Sequence, residues 1–322
     1  MSMEFGDLAA AIASDGVISA DEILVLRRIG WSDGKIGPDE AEALFAANEA
    51  CAAPTAEWCD FFVEALTSFI VETVEPRGYV DDEMGDELIA RIDHDGRVDS
   101  LAELELVVRV LELAVNVPER VKAYALQQIE HAVLSGEGPT RRGKLSPKGI
   151  NETECALLRR LIFAPAGDRP AAVSKREAEL LFRIKDASLY EVNAPEWEKL
   201  FIQGVANYLF GFGGHEPLSH ARAAELETFM SRECSGIGGF LGRMLTTKPD
   251  VDGAFGSLLD MGHQHNPDIA GAADEASELT SDESSWLTDM LEADEELDPM
   301  EKALLAWVAE ETGEVFGVKV GG

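Results

Sequence analysis

Two stretches of this 322-residue chain repeat one plan. Ile18-Ser19-Ala20-Asp21-Glu22 through Arg27-Arg28 aligns with Ile150-Asn151-Glu152-Thr153-Glu154 through Arg159-Arg160. Ile36–Phe45 (IGPDEAEALF) then aligns with Val173–Phe182 (VSKREAELLF), and Glu57-Trp58 and Phe62 align with Glu196-Trp197 and Phe201. The offset grows from 132 to 137 to 139, so short loop insertions separate otherwise matched segments. A duplicated unit constrains the fold before any single residue is read, because both copies must bury the same apolar pattern. It leaves the activity open.

The pattern inside each copy is helical. Ile23, Leu26 and Ile29 recur at helical spacing, as do Phe62, Leu66 and Phe69. Helix starts are marked by a short polar residue followed three places later by Glu: Ser19/Glu22, Ser100/Glu103, Asn151/Glu154, Ser174/Glu177, Thr280/Glu283 and Asp298/Glu301. In such a box each partner satisfies a backbone N–H that the first turn leaves open. Alternating Val/Thr-rich runs are scarce, so no sheet is expected. The spacing predicts an all-α fold of two duplicated multi-helix halves built from capped helix pairs. The halves are residues 1–140 and 141–322. They meet near the Gly/Pro/basic stretch Ser135–Lys148 (SGEGPTRRGKLSPK). Trp58 and Trp197 are expected to pack in the cores of their halves.

The second half departs from the first at about 211–273. This insertion holds eleven glycines and four of the six histidines, His215, His220, His263 and His265. Its run Gly236–Gly242 lacks a preceding strand and a Gly-Lys-Ser/Thr ending, so it is not a phosphate loop. A connector is expected there.

Charge sets limits on partners. The formal net charge is -34. Residues 1–140 carry 29 acids against 9 bases, 141–273 carry 17 against 16, and 274–322 carry 15 against 2. A surface this acidic repels polyanions, so direct nucleic-acid binding is not expected. A basic protein is the expected partner. Glu292, Glu295 and Glu296, in the acidic run before Asp298, are candidate contacts for it. The neutral middle zone argues against a nucleic-acid mimic, which would spread its charge along the molecule. No signal peptide and no membrane-spanning run are expected. The four cysteines, Cys51, Cys59, Cys155 and Cys234, form no CxxC pair, and a reducing cytosol fits them. Cys59 and Cys155 are expected as buried thiols.

The most chemical-looking feature is a recurring Asp-Gly-x-apolar step. Asp15-Gly16-Val17-Ile18 leads to Glu22, and Asp33-Gly34-Lys35-Ile36 leads to Glu40. Both place Gly, an apolar residue and an acid where an EF-hand calcium loop has them. Both lack the two front ligands, with Ala11 and Ala13 in one loop and Ile29 and Trp31 in the other. The loop at Asp93 keeps more acids, Asp93, Asp95, Asp99 and Glu103, so these four rank first as metal ligands. Asp15, Glu22, Asp33 and Glu40 rank behind them. Asp250-Val251-Asp252-Gly253 repeats the step without a closing acid in place. Any calcium binding is expected to be weak, and no other cofactor is expected. An Asp-Gly turn feeding a capped helix explains the same residues without metal.

The Asp-Gly-x-apolar-Ser-x-x-Glu start, followed by a second capped helix ending in Leu-Phe, resembles the TerB-like proteins of tellurite resistance. The resemblance covers residues 8–72 and, without the Asp-Gly step, 145–211. It implies small helical modules with acidic residues, and a stress-linked role in binding metal or partner proteins. No catalytic set can be placed, and His263 and His265 are two apart, a poor pair on one helix face. The sequence therefore points to a non-enzymatic interaction or scaffold protein. A weak divalent-cation sensor and an acidic nucleic-acid mimic are the alternatives.

Overall fold

The computed structural model describes residues 2–32, 34–141, 148–166, 173–210, 281–292 and 297–312. Twelve α-helices run through them: α1 (Ser2–Ala13), α2 (Ala20–Gly30), α3 (Pro38–Ala50), α4 (Ala56–Thr67), α5 (Asp82–Ile92), α6 (Leu101–Leu113), α7 (Glu119–Ser135), α8 (Glu152–Ile162), α9 (Lys175–Ser188), α10 (Trp197–Leu209), α11 (Ser281–Leu291) and α12 (Pro299–Thr312). A π-helical turn, Ser68–Thr73, extends α4, and a 3-10 turn, Pro139–Arg141, precedes α8. Among the described residues there is no strand, only the isolated bridges Tyr79–Asn116 and His94–Arg97. The fold is all-α.

Four of the expected capping boxes form; at Ser100/Glu103 the box does not, because Ser100 accepts from the Ala102 N–H and Glu103 turns to Asn48. Ser19 accepts from the Glu22 N–H while Glu22 accepts from the Ser19 N–H, and Asn151/Glu154, Ser174/Glu177 and Asp298/Glu301 repeat this exchange. Each box satisfies orphan donors of a first turn. Thr280, of the Thr280/Glu283 pair, lies outside the described residues, as do the 211–273 insertion with its histidines, Asp250, Asp252, Cys234, and 142–147 of the linker.

Helix α6 explains the assembly. Ala102, Leu104, Leu106, Val107, Val108, Val110 and Leu111 are all buried, so the helix is apolar on nearly every face and needs neighbours all round. It packs against α4, α7 and α8, and so stands between the N-terminal and later helices. One continuous core crosses from residues 1–140 into the rest of the chain. Arg160 on α8 reaches back to Glu105 at 2.6 Å and Glu112 at 2.7 Å on α6. Lys122 on α7 pairs with Glu177 on α9 at 2.6 Å.

Trp58 on α4 and Trp197 on α10 are both fully buried. Each lies against the Phe four residues on, with ring centroids 6.2 Å apart in Trp58–Phe62 and 6.2 Å apart in Trp197–Phe201. Helix α4 packs on α3 and α6, and α10 on α9 and α12. Gly204 on α10 meets α9 closely: a Cβ there would stand 2.4 Å from Leu181 Cδ1.

Candidate functional site: an acidic cleft with a buried carboxyl

Asn48 occupies the last turn of α3 on the face of Leu44, and both are buried. Its amide oxygen accepts from the Trp58 indole N–H at 3.1 Å, and its Nδ2 donates to Glu103 Oε1 at 3.0 Å. Three elements thus converge through one amide: α3, α4 and the first turn of α6. Glu103 is only 5% exposed. Its other oxygen, Oε2, is shielded from solvent and has no hydrogen-bond partner. Burial pushes the Glu103 carboxyl above the ordinary carboxylate value, and the Asn48 hydrogen bond offsets only part of that.

Glu103 lines a cleft of ≈ 1620 Å³ between α3, α4 and the start of α6. Glu49, Asp60, Glu64, Asp99 and Glu105 line the same cleft, over an apolar surface that includes Trp31, Val63, Leu101 and Leu113. Its basic side chains are His94, Arg109 and Arg160. Both arginines are already engaged, Arg109 by Glu112 and Arg160 by Glu105 and Glu112. The Thr67 hydroxyl, buried in the same wall, also has no partner. Cys59 is half-buried and lines the cleft, where a fully buried thiol was expected. It shares a turn with Asp60 and Val63, at the edge of the packed face of α4. Cys155 is buried as expected, and burial pushes its thiol up to about 11.

The sequence-predicted ligands are dispersed. His94 and Arg97 exchange backbone hydrogen bonds at 2.7 and 3.2 Å, with Asp95 and Gly96 between them at φ 56 and 85. Positive φ at both central residues is the signature of a tight two-residue hairpin turn. Asp93 spends its oxygens locally, accepting from the Gly96 N–H at 3.2 Å and the Tyr124 hydroxyl at 2.8 Å. Asp95 and Asp99 are exposed, and Glu103 turns inward to Asn48. No three of these four carboxylates converge within 4.8 Å. Asp15 accepts from the Val17 N–H, while Glu22 and Glu40 close onto the Ser19 and Gly37 N–H groups. Glu292 is exposed. Asp33, Glu295 and Glu296 lie outside the described residues.

Two buried charge clusters escaped the sequence reading. Arg141 and Glu154 meet at 2.7 Å with neither exposed, and Thr140 donates to the same carboxylate. On α9, Lys185 Nζ lies 2.5 Å from Asp298, 2.6 Å from Glu301 and 2.7 Å from Asp186. These three carboxylates are the one group of three His, Cys, Asp or Glu ligand atoms that converges among the described residues, and an ammonium already sits among them. Burial pulls the Lys185 ammonium down, but the hydrogen bonds it donates to Asp186, Asp298 and Glu301 outweigh that and hold it above its ordinary value. A signal for it existed. Asn48 and Lys185 occupy the same position of the aligned segments, each polar and four residues after a core leucine, Leu44 or Leu181.

Comparison with protein-family models, curated proteins and solved structures yields no match to this chain. Among the described residues no helix is long and apolar enough to cross a membrane.

Proposed function

We propose that this chain is a non-enzymatic, cytosolic interaction protein of two related helical units, and that it docks a basic partner protein on the α3/α4/α6 cleft. The observation that carries this reading is the chemistry of the cleft: seven carboxylates line it, Glu72 among them, and its arginines are already neutralised from within. Glu64 pairs with Arg27 and Glu105 with Arg160, but Glu49, Asp60 and Asp99 carry no such ion pair among the described residues. Acids of this kind over an apolar floor favour a partner that brings its own cations and buries apolar area. The related-unit reading draws on the aligned segments, on the matched settings of Trp58 and Trp197, and on the resemblance to TerB-like modules, which adds a stress-linked role. The cation-sensor reading is weaker, because Asp93, Glu22 and Glu40 are engaged by backbone donors.

The test is retention of cytosolic proteins on the immobilised full chain, compared with Glu49→Lys plus Asp60→Lys and, separately, Glu292→Lys. Retention should fall with rising salt and fall further in the cleft variant. Loss only in Glu292→Lys would move the dock to the C-terminal acids. A partner indifferent to salt and to every reversal would sink the reading.

A further inference from the structure

The second half of the chain shows what its acids hold. Lys185 projects from α9 and its ammonium is bonded by Glu301 and Asp298 at the start of α12 and by Asp186 beside it. The first half presents two of the three corresponding carboxylates. Asn48 stands on α3 where Lys185 stands on α9, and Glu49 where Asp186 stands. Glu103 is the third residue of α6, as Glu301 is of α12, and Ser100 occupies the N-cap place of Asp298, with Asp99 one residue before it. Glu49, Asp99 and Glu103 all line the cleft.

Two residues differ: Ser100 stands where Asp298 does, and Asn48 where Lys185 does. A neutral amide replaces the ammonium, and it satisfies Glu103 Oε1 while Oε2 is left unpartnered. A buried carboxylate oxygen without a donor is costly, and a charge-assisted hydrogen bond relieves that cost. The tryptophans differ accordingly: the Trp197 indole N–H has no partner, whereas that of Trp58 donates to Asn48. The amide therefore holds the first-half site in shape without supplying its cation.

We infer that Glu103, with Glu49 and Asp99, forms a subsite for a lysine ammonium carried by a polypeptide partner, in the manner in which Glu301 holds Lys185 internally. This rests on the docking reading above and names the group that is read there. The internal precedent is an ammonium shared by separate carboxylates, which a compact charge suits better than a planar guanidinium.

The test is anisotropy titration of the full chain with a fluorescent oligolysine peptide, its Nε-acetylated form and an oligoarginine peptide. Oligolysine should bind in a salt-dependent manner. Acetylation, Glu103→Gln and Asn48→Lys should each weaken it by about tenfold or more, the loss expected for one charge-assisted hydrogen bond. Asn48→Lys should unfold at or above the wild-type temperature, because the new ammonium would pair with Glu103. Equal binding of oligolysine to wild type, Glu103→Gln and Asn48→Lys overturns the subsite and leaves the acidic-cleft reading standing. Equal or tighter binding of acetylated peptide or oligoarginine also overturns it. Absence of binding by any peptide at low salt overturns both.

Discussion

Lys185 on α9 and Glu301 on α12 meet at 2.6 Å, and neither side chain is exposed. Asp298 adds a second carboxylate to the same ammonium at 2.5 Å while capping α12. The pair ties a helix near residue 300 to one near residue 185, and α12 also packs its Leu304 and Val308 into the core. Breaking a buried pair from one side is far worse than never having it, because the surviving charge has left water without compensation.

Lys185→Met should therefore cost about 3–5 kcal/mol at neutral pH. Because the folded protein holds the Lys185 ammonium above its ordinary value of 10.5, its stabilisation is fully present below that value and is lost only as pH rises beyond it. Urea unfolding of both proteins across pH measures this. A neutral-pH cost below about 1 kcal/mol would show that the triad is close to balanced by its desolvation.

Glu103 gives the opposite kind of pH dependence from an ordinary surface carboxylate. Its carboxyl is pushed above the usual value near 4.5, chiefly by burial. Folding therefore favours the protonated form. The stability this contributes is present below about 4.5 and is lost as pH rises through the folded value. Glu103→Gln keeps an oxygen for Asn48 and removes the ionisation. Its melting temperature relative to wild type should rise between pH 4.5 and pH 8. A difference that stays flat over that window would mean that Glu103 ionises in the fold without penalty.

Local structure was legible in the sequence, and long-range pairing was not. The boxes at Ser19, Asn151, Ser174 and Asp298 involve residues three apart, so spacing alone locates them. The apolar repeat likewise marks the helices and places both tryptophans in the core. Glu103 was read as a ligand because it follows an Asp-Gly turn one place past the closing position of the loop. Its actual partner, Asn48, is 55 residues away, and only packing brings the two together. Lys185 and Glu301 are 116 residues apart and pose the same problem. The matched positions of Asn48 and Lys185 were visible in the alignment, but the pairing of α3 with α6 and of α9 with α12 was needed to give them meaning.

The Asp95-Gly96 turn should respond to backbone chemistry and hardly to charge. Gly96 has φ 85 and nothing within 4 Å of where a Cβ would lie. Gly96→Ala therefore introduces no clash, only the left-handed backbone penalty of about 1–2 kcal/mol. Asp95→Gly should be close to neutral or mildly stabilising, since Asp95 already holds φ 56. Thermal unfolding of the two variants decides between conformation and charge. If Asp95→Gly proves the more damaging, its carboxylate has a role that the turn geometry does not require.

Calcium is the sharpest test of the Asp-Gly loops. An EF-hand gathers its oxygens from the front, middle and end of one loop, and affinity follows how many of them are free to turn inward. Here Ala11 and Ala13 stand at the front of one loop and Ile29 and Trp31 at the front of the next. Glu22 and Glu40, which would close those loops, accept hydrogen bonds from helix-start N–H groups instead. In the third loop Asp93 is held by Gly96 and Tyr124, and Glu103 by Asn48. Binding calcium there would require breaking these contacts, so a dissociation constant of about 10⁻⁴ M or weaker is expected. Titration calorimetry of the full chain at low ionic strength measures it. Asp93→Ala plus Asp95→Ala should abolish whatever heat the third loop produces. Submicromolar binding that survives this double substitution would place a real calcium site away from these loops.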